Sequence, residues 1–194
     1  RQIYDQENHD IRLLYPANTW PHKNHEMLFA AMKYLQMDTE FPSFKLICTG
    51  YSTKERQKEL NDLINGLGLS SIIDMKGYLS REEMERELVN MTMLIFPSLY
   101  EGFGIPVLEA MIFNKPICCS NIGTLKEVAE KAAYRFDPRN PKEISTAIKK
   151  VYVDRSIREE LIRQGNIQRI KYSNHTQMVY NYIESFENLL SNHE

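Results

Sequence analysis

In the stretch YEGFGIPVLEA, residues 100 to 110, Glu101 and Glu109 are separated by seven residues that open with a Gly-Phe-Gly turn. Gly102 and Gly104 permit backbone geometry that side chains block, and they let a ligand approach the main chain closely. A helix beginning near Ile105 presents unpaired N–H groups and the positive end of its dipole, a combination that favours phosphate. Pro106 suits the first helical turn, where its missing N–H costs nothing. Glu109 then lies just over one turn inside the helix, about a ribose's reach from the phosphate seat, where a carboxylate accepts from two vicinal hydroxyls. The spacing therefore describes one elongated ligand, with a sugar at Glu101, a diphosphate at the helix end and a ribose at Glu109.

Other chemistries fit less well. A dinucleotide fingerprint needs a third glycine where Val107 stands, and belongs to the first strand's turn, so NAD binding is not expected. Glycoside hydrolysis places two carboxyl groups on either side of one bond, roughly 5 to 9 Å apart. A turn residue and a helical one are better placed to serve two ends of a ligand. His22 and His25 flank Lys23 but have no third ligand near them in the sequence, and no Asp-x-Asp pair occurs, so no metal or other cofactor is expected. Residues 18 to 25 read as a polar turn leading into a helix, with one histidine at the crevice, while Trp20 is either a core plug or a lid. The charged stripes KERQKE and REEMERE read as solvated helix faces.

These residues must be positioned by a repeating frame. IRLLYPA (11 to 17), FKLICTG (44 to 50), SIIDM (71 to 75), TMLIFPS (92 to 98), KPICCS (115 to 120) and AAYRFD (132 to 137) read as strands, most of them apolar on both faces. That pattern suits parallel strands covered on both sides. Helical stripes separate them, clearest in Leu28, Ala31, Met32, Leu35, in Leu60, Leu63, Ile64, Leu67 and in Ile144, Ala147, Ile148, Val151. Ser80 and Glu83 form a capping box, and Gly66 and Gly68 close the helix before the third strand. The alternation specifies an α/β, doubly wound, Rossmann-like parallel sheet with its ligand crevice at the carboxyl ends of the strands. After residue 140 the pattern is wholly helical.

The 194 residues suit one domain of ordinary size, and 42% hydrophobic content supplies a core. Twenty-four Lys plus Arg against 26 Asp plus Glu give a net charge of -2, which argues against nucleic acid as a partner. Cys48, Cys118 and Cys119 lie in apolar runs without framework spacing, as expected of reduced core thiols in the cytoplasm. No run is long and apolar enough to span a bilayer and no secretory leader is evident. A start at Arg1 rather than Met suggests an excised piece.

Around the two glutamates, FPSLYEGFGIPVLEAMIFNKPICCSNIG (96 to 123) resembles, almost position for position, the nucleotide-sugar signature of retaining glycosyltransferases of the GT-B fold, in particular glycosyltransferase family 4 (group 1). YPANTWPHKNHEMLFAAM (15 to 32) resembles that family's first strand, turn and helix, KLICTG its second strand, DMKGYLSREEM its base-binding turn, and YRFDPRNPKEISTAI its closing strand and helix. The resemblance covers about Ile11 to Tyr182. It implies that Glu101 contacts donor-sugar hydroxyls, that the backbone of Phe103, Gly104 and Ile105 holds sugar and phosphate, and that Glu109 grips the ribose. Lys23 matches the lysine of a basic pair that neutralises the leaving diphosphate, with Glu101 and Lys23 as the catalytic residues. Its partner, often Arg in the family, is Asn18 here, so one positive charge is missing. Backbone groups of Tyr78 and Leu79 would read the base, and Gly50 would floor the cleft.

The resemblance further implies a metal-independent enzyme that moves a sugar from a UDP-, GDP-, ADP- or TDP-linked donor to an acceptor, in polysaccharide or glycoconjugate synthesis. The chain would be the carboxyl-terminal, donor-binding half of a GT-B fold with extra C-terminal helices, binding donor but transferring little without an amino-terminal acceptor domain. Residues 174 to 194 would form a helix that packs on that domain. The expected location is cytoplasmic, peripheral at the inner membrane if the other domain docks there. A nucleotide-sugar epimerase-like enzyme and a non-catalytic nucleotide-sugar-binding module are the alternative readings.

Overall fold

The structure, a computed structural model, describes residues 11–173; the expected helix over 174 to 194 lies outside the described residues. Six strands, β1 (Ile11–Pro16), β2 (Phe44–Thr49), β3 (Ile73–Gly77), β4 (Met93–Phe96), β5 (Ile117–Ser120) and β6 (Tyr134–Phe136), form one sheet in the order β3-β2-β1-β4-β5-β6. Every neighbouring pair runs parallel. Between the strands run α1 (His25–Met37), α2 (Lys54–Gly66), α3 (Arg81–Asn90), α4 (Ile105–Ile112) and α5 (Gly123–Ala129), and α6 (Pro141–Val153) and α7 (Arg155–Ser173) follow β6. This is the doubly wound Rossmann-like order, whose direction reverses between β1 and β4. Ligands bind at that reversal, outside the carboxyl ends of the strands.

The burial explains why apolar runs gave the strands away. Leu13, Leu14, Leu46, Leu94, Ile95, Cys118 and Cys119 are shut off from solvent on both faces of the central strands. Covering comes from α1 packed with α2 and α6, and from α4 packed with α5 and α7. The edge strands differ. β3 begins two residues later than the run SIIDM, and its Asp74 is exposed, because only one side of an edge strand needs cover. All three cysteines are buried and free, and burial pushes the Cys48 thiol above its ordinary range and the Cys119 thiol up to about 12.

The helix signals act as expected. Ser80 Oγ accepts from the Glu83 N–H at 3.3 Å while Glu83 Oε2 accepts from the Ser80 N–H at 2.8 Å, a reciprocal cap. α2 ends at Gly66, and Gly68 takes the left-handed turn beyond it.

The two charged stripes are not merely solvated. Glu87, in REEMERE, is buried and takes Arg12 on one oxygen and Lys76 on the other, each at 2.6 Å. Burial by itself would raise its carboxyl, but the two cations hold it below the usual range. Arg56, in KERQKE, donates to the Thr19 carbonyl at 3.1 Å and pairs with Glu26, so α2 clamps the turn after β1.

Candidate active site

Residues following β1 and β4 meet at the reversal. Lys23 ends a 3-10 turn, Pro21–Lys23, and its Nζ donates to Glu101 Oε1 at 2.6 Å. The structure therefore joins two predicted site residues 78 positions apart in one ion pair, with side chains only 16% and 9% exposed. The ammonium also lies 5.8 Å from the centre of the Phe96 ring, within reach of a cation–π attraction. Such a pair, largely desolvated, presents a fixed cation where a ligand's anionic group would be strongly felt.

The lysine is anchored through its backbone. The buried Tyr15 hydroxyl donates to the Lys23 carbonyl, and the Leu99 N–H donates to the His22 carbonyl at 2.7 Å. On the other side, Thr124 Oγ1 donates to the Glu101 carbonyl at 2.9 Å. Tyr15 and Thr124 were absent from the sequence-based site. A tyrosine inside a largely apolar strand was the one local signal for Tyr15; Thr124 acts through a contact 23 residues away.

Gly104 opens α4 with φ +90°, a left-handed conformation that disfavours side chains, and a Cβ there would stand 2.6 Å from Leu125 Cδ2. A glycine cap carries no side chain to satisfy the helix, and the N–H groups of Phe103, Gly104 and Ile105 find no protein acceptor among the described residues. Phe103 is 41% exposed and packs edge-on against Tyr172, 5.5 Å between ring centres. Glu109 follows on α4, half-buried, its carboxylate with no hydrogen bond or cation among the described residues. Burial alone raises its carboxyl above the usual range.

That shift has a stability consequence with a definite sign. A carboxyl whose folded pKa is raised binds more protons folded than unfolded, so stability falls as pH rises from the ordinary glutamate value through the raised one. Glu109→Gln should therefore melt higher than the parent at pH 7 and close to it at pH 4, measured without ligand. A difference in melting temperature that ignores pH would show that Glu109 carries no such strain.

The residues expected at the base end also come together. Gly50 donates its N–H to the Gly77 carbonyl at 2.7 Å, which sets the floor beside the Tyr78–Leu79 turn. Tyr78 is 82% exposed and Leu79 half-buried. Asn18 is exposed, and its Oδ1 accepts from the Tyr51 N–H at 2.7 Å. Its oxygen thus serves the protein, leaving the amide hydrogens to a ligand. Trp20 is 49% exposed, which removes the core-plug reading.

His22 and His25 part company. His22 is exposed with its ring 6.5 Å from that of Tyr100. His25 is fully buried between Tyr15 and Phe29, and burial holds its imidazole down to about 4. It borders a cavity of about 10 Å³ with Ala17, Thr19, Cys48 and Gly50, room for about one water. Among the described residues no group of three or more His, Cys, Asp or Glu gathers as a metal site would need, and no helix is long and apolar enough to cross a membrane.

The chain has relatives among known proteins. Residues 1–168 match the family model described as glycosyl transferases group 1. The chain is 33% identical over 160 residues to O-antigen chain mannosyltransferase B of Escherichia coli, covering 82% of this chain and 42% of that one. It is 28% identical over 172 residues to the O-antigen chain mannosyltransferase RfbU of Salmonella typhimurium, covering 85% and 44%. The chain thus spans less than half the length of these curated relatives. Its fold is that of Anabaena HepE, solved in complex with UDP and glucose, with a TM-score of 0.78 at 18% identity over 91% of this chain and 48% of HepE. With a family model matched along most of its length and a parallel sheet of this order, the chain belongs to the glycosyl transferases group 1 family.

Proposed function

We propose that the chain is the donor-binding half of a retaining, metal-independent glycosyltransferase of family 4, taking its sugar from a nucleoside diphosphate. The observation that carries this reading is the Lys23–Glu101 pair at the β1/β4 reversal, next to the uncapped start of α4. In the proposed complex Lys23 trades its carboxylate partner for the diphosphate, and Glu101 turns to donor-sugar hydroxyls. The acceptor oxygen bonds to the anomeric carbon as the bond from that carbon to phosphate breaks. The electron pair leaves with the diphosphate, the acceptor's proton passes to a phosphate oxygen, and Lys23 with the α4 N–H groups stabilises the charge that builds there. The two named relatives are O-antigen mannosyltransferases, which supports a mannosyl donor and a role in surface polysaccharide synthesis. HepE, solved with UDP and glucose, supports a nucleotide in the crevice. The acceptor site belongs to a second, amino-terminal domain of the whole protein, so this half binds donor and transfers little by itself. A cytoplasmic location goes with this reading, and the three free, buried cysteines support it.

The test is a thermal-shift series with UDP, GDP, ADP and TDP, and with GDP-mannose and UDP-glucose, at millimolar concentration with EDTA present. Saturation at about 100 times Kd stabilises by about 2.7 kcal/mol, readily seen as a higher melting temperature. One nucleotide should stand out, with its mannose-linked form at least as good. Glu109→Ala should cost that ligand about 1 to 3 kcal/mol through lost charged hydrogen bonds. No shift with any nucleotide would overturn the donor-site reading, and an inverted anomer in proton NMR of the whole enzyme's product would overturn retention.

A further inference from the structure

Asn24 sits directly after Lys23 with φ 64° and ψ 38°, ending the 3-10 turn and opening α1 in the left-handed conformation. Asparagine is among the few residues with a side chain that visit this region readily. At a helix start its side chain would ordinarily cap the helix, yet here it makes no capping bond. It is instead 8% exposed, and Nδ2 donates to two carbonyls, Pro97 at 3.0 Å and Pro138 at 2.8 Å. Both partners are acceptors only, which fixes the amide's orientation, since the NH2 end alone can satisfy them.

Those two carbonyls belong to different parts of the site's frame. Pro97 directly follows β4 and leads through Ser98 and Leu99 to Glu101, while Pro138 follows β6 just before α6. The Leu99 N–H on the His22 carbonyl adds a second tie between the same two segments, 2.7 Å long. One buried amide thus braces the turn that carries Lys23 against the segment that carries Glu101.

We infer that Asn24 is a positioning residue for Lys23, holding the ammonium where a nucleoside diphosphate leaves. The inference rests on the donor-site reading above. Without the brace, the lysine still has its charge but not its place, and preorganisation is what gives such a charge its effect.

Two substitutions separate the parts played by conformation and amide. Asn24→Gly keeps the left-handed backbone at no steric cost and deletes both donors. Asn24→Asp keeps the shape but sets a carboxylate against two carbonyl oxygens. Calorimetric affinities for UDP and GDP are measured for the chain, for each variant and for each combined with Lys23→Ala, all well below the melting temperature. Asn24→Gly should weaken binding about tenfold, the scale of losing one or two buried hydrogen bonds that hold the charge in place, and Asn24→Asp more. In the Lys23→Ala background the Asn24→Gly effect should vanish, as expected of residues acting through one another. A general structural prop would instead lower stability and leave affinity untouched, or weaken both backgrounds equally, and either result overturns the inference. Should Asn24→Asp fail to fold, Asn24→Gly carries the test alone. If Lys23→Ala itself binds like the parent, the donor-site reading fails first, and Asn24's role falls with it.

Discussion

Lys23→Ala is expected to lower sugar transfer by the enzyme containing this chain by about 100- to 1,000-fold, the usual effect of removing one group that stabilises developing negative charge. The geometry gives the reason. On the proposed reading Asn18 replaces a second cation, and its oxygen is committed to the Tyr51 N–H, so the leaving-group charge would fall to Lys23 together with the start of α4. The same change should cost stability. It leaves the Glu101 side chain, 9% exposed, without the cation 2.6 Å away. Breaking a fully buried pair from one side costs about 3 to 5 kcal/mol, and the remaining exposure of Lys23 brings the expectation to about 2 kcal/mol. Pairing Lys23→Met with Glu101→Gln removes both charges and should recover most of the stability while transfer stays lost. Steady-state kinetics and urea midpoints on the three proteins separate the two effects. Parental turnover in Lys23→Ala would remove the lysine from the chemistry, and a double variant as unstable as the single one would show that packing, not the orphaned carboxylate, sets the cost.

What was legible in the sequence was local. Strands buried on both faces cannot hide their apolar runs, so the four central ones were plain, and the Gly-Phe-Gly turn announced an uncapped helix start because capping is decided within a few residues. The capping box of α3 was readable for the same reason. Partners far apart were not. Glu87 looked like one more solvated helical charge because its partner Arg12 lies 75 residues away, and the stripe around it is polar in every other respect. Likewise Glu101 was placed by its turn and Lys23 by resemblance, but their contact across 78 residues was not readable, since it depends on β1 and β4 being neighbours. Asn24 gave still less sign of itself. Its left-handed backbone and two carbonyl partners follow from how three turns converge at the carboxyl edge of the sheet. The trimmed register of β3 shows the limit from the other side, for at an edge the apolar pattern no longer has two faces to report.

Gly50→Ala is expected to be the most damaging single methyl in the described chain. The residue has φ +121°, a conformation that L side chains rarely adopt, at a typical cost of about 1 to 3 kcal/mol. The added carbon would also meet backbone, at 2.6 Å from both the carbonyl carbon and oxygen of Ala17 and 2.7 Å from the Asn18 nitrogen. A flexible side chain could swing aside, but these atoms cannot. Ala17 is held by its N–H on the Thr49 carbonyl at 2.9 Å, and Thr19 by its N–H on the Tyr51 carbonyl at 3.0 Å. Moving them would unlace the loops after β1 and β2 and pull Gly50 from the Gly77 carbonyl. Overpacking of this kind adds about 1 to 3 kcal/mol, so the total is about 2 to 6 kcal/mol. For a chain of this size that lowers the melting temperature by about 4 to 24 °C. Gly66→Ala is the matched control, because a methyl there meets nothing within 4 Å at the end of α2. It should be neutral or stabilising, by up to about 1 kcal/mol. Calorimetric melting of both variants decides the matter. Equal melting temperatures would mean that the β1 and β2 loops yield easily, and a floor that yields could not hold the base turn and the Lys23 turn in register.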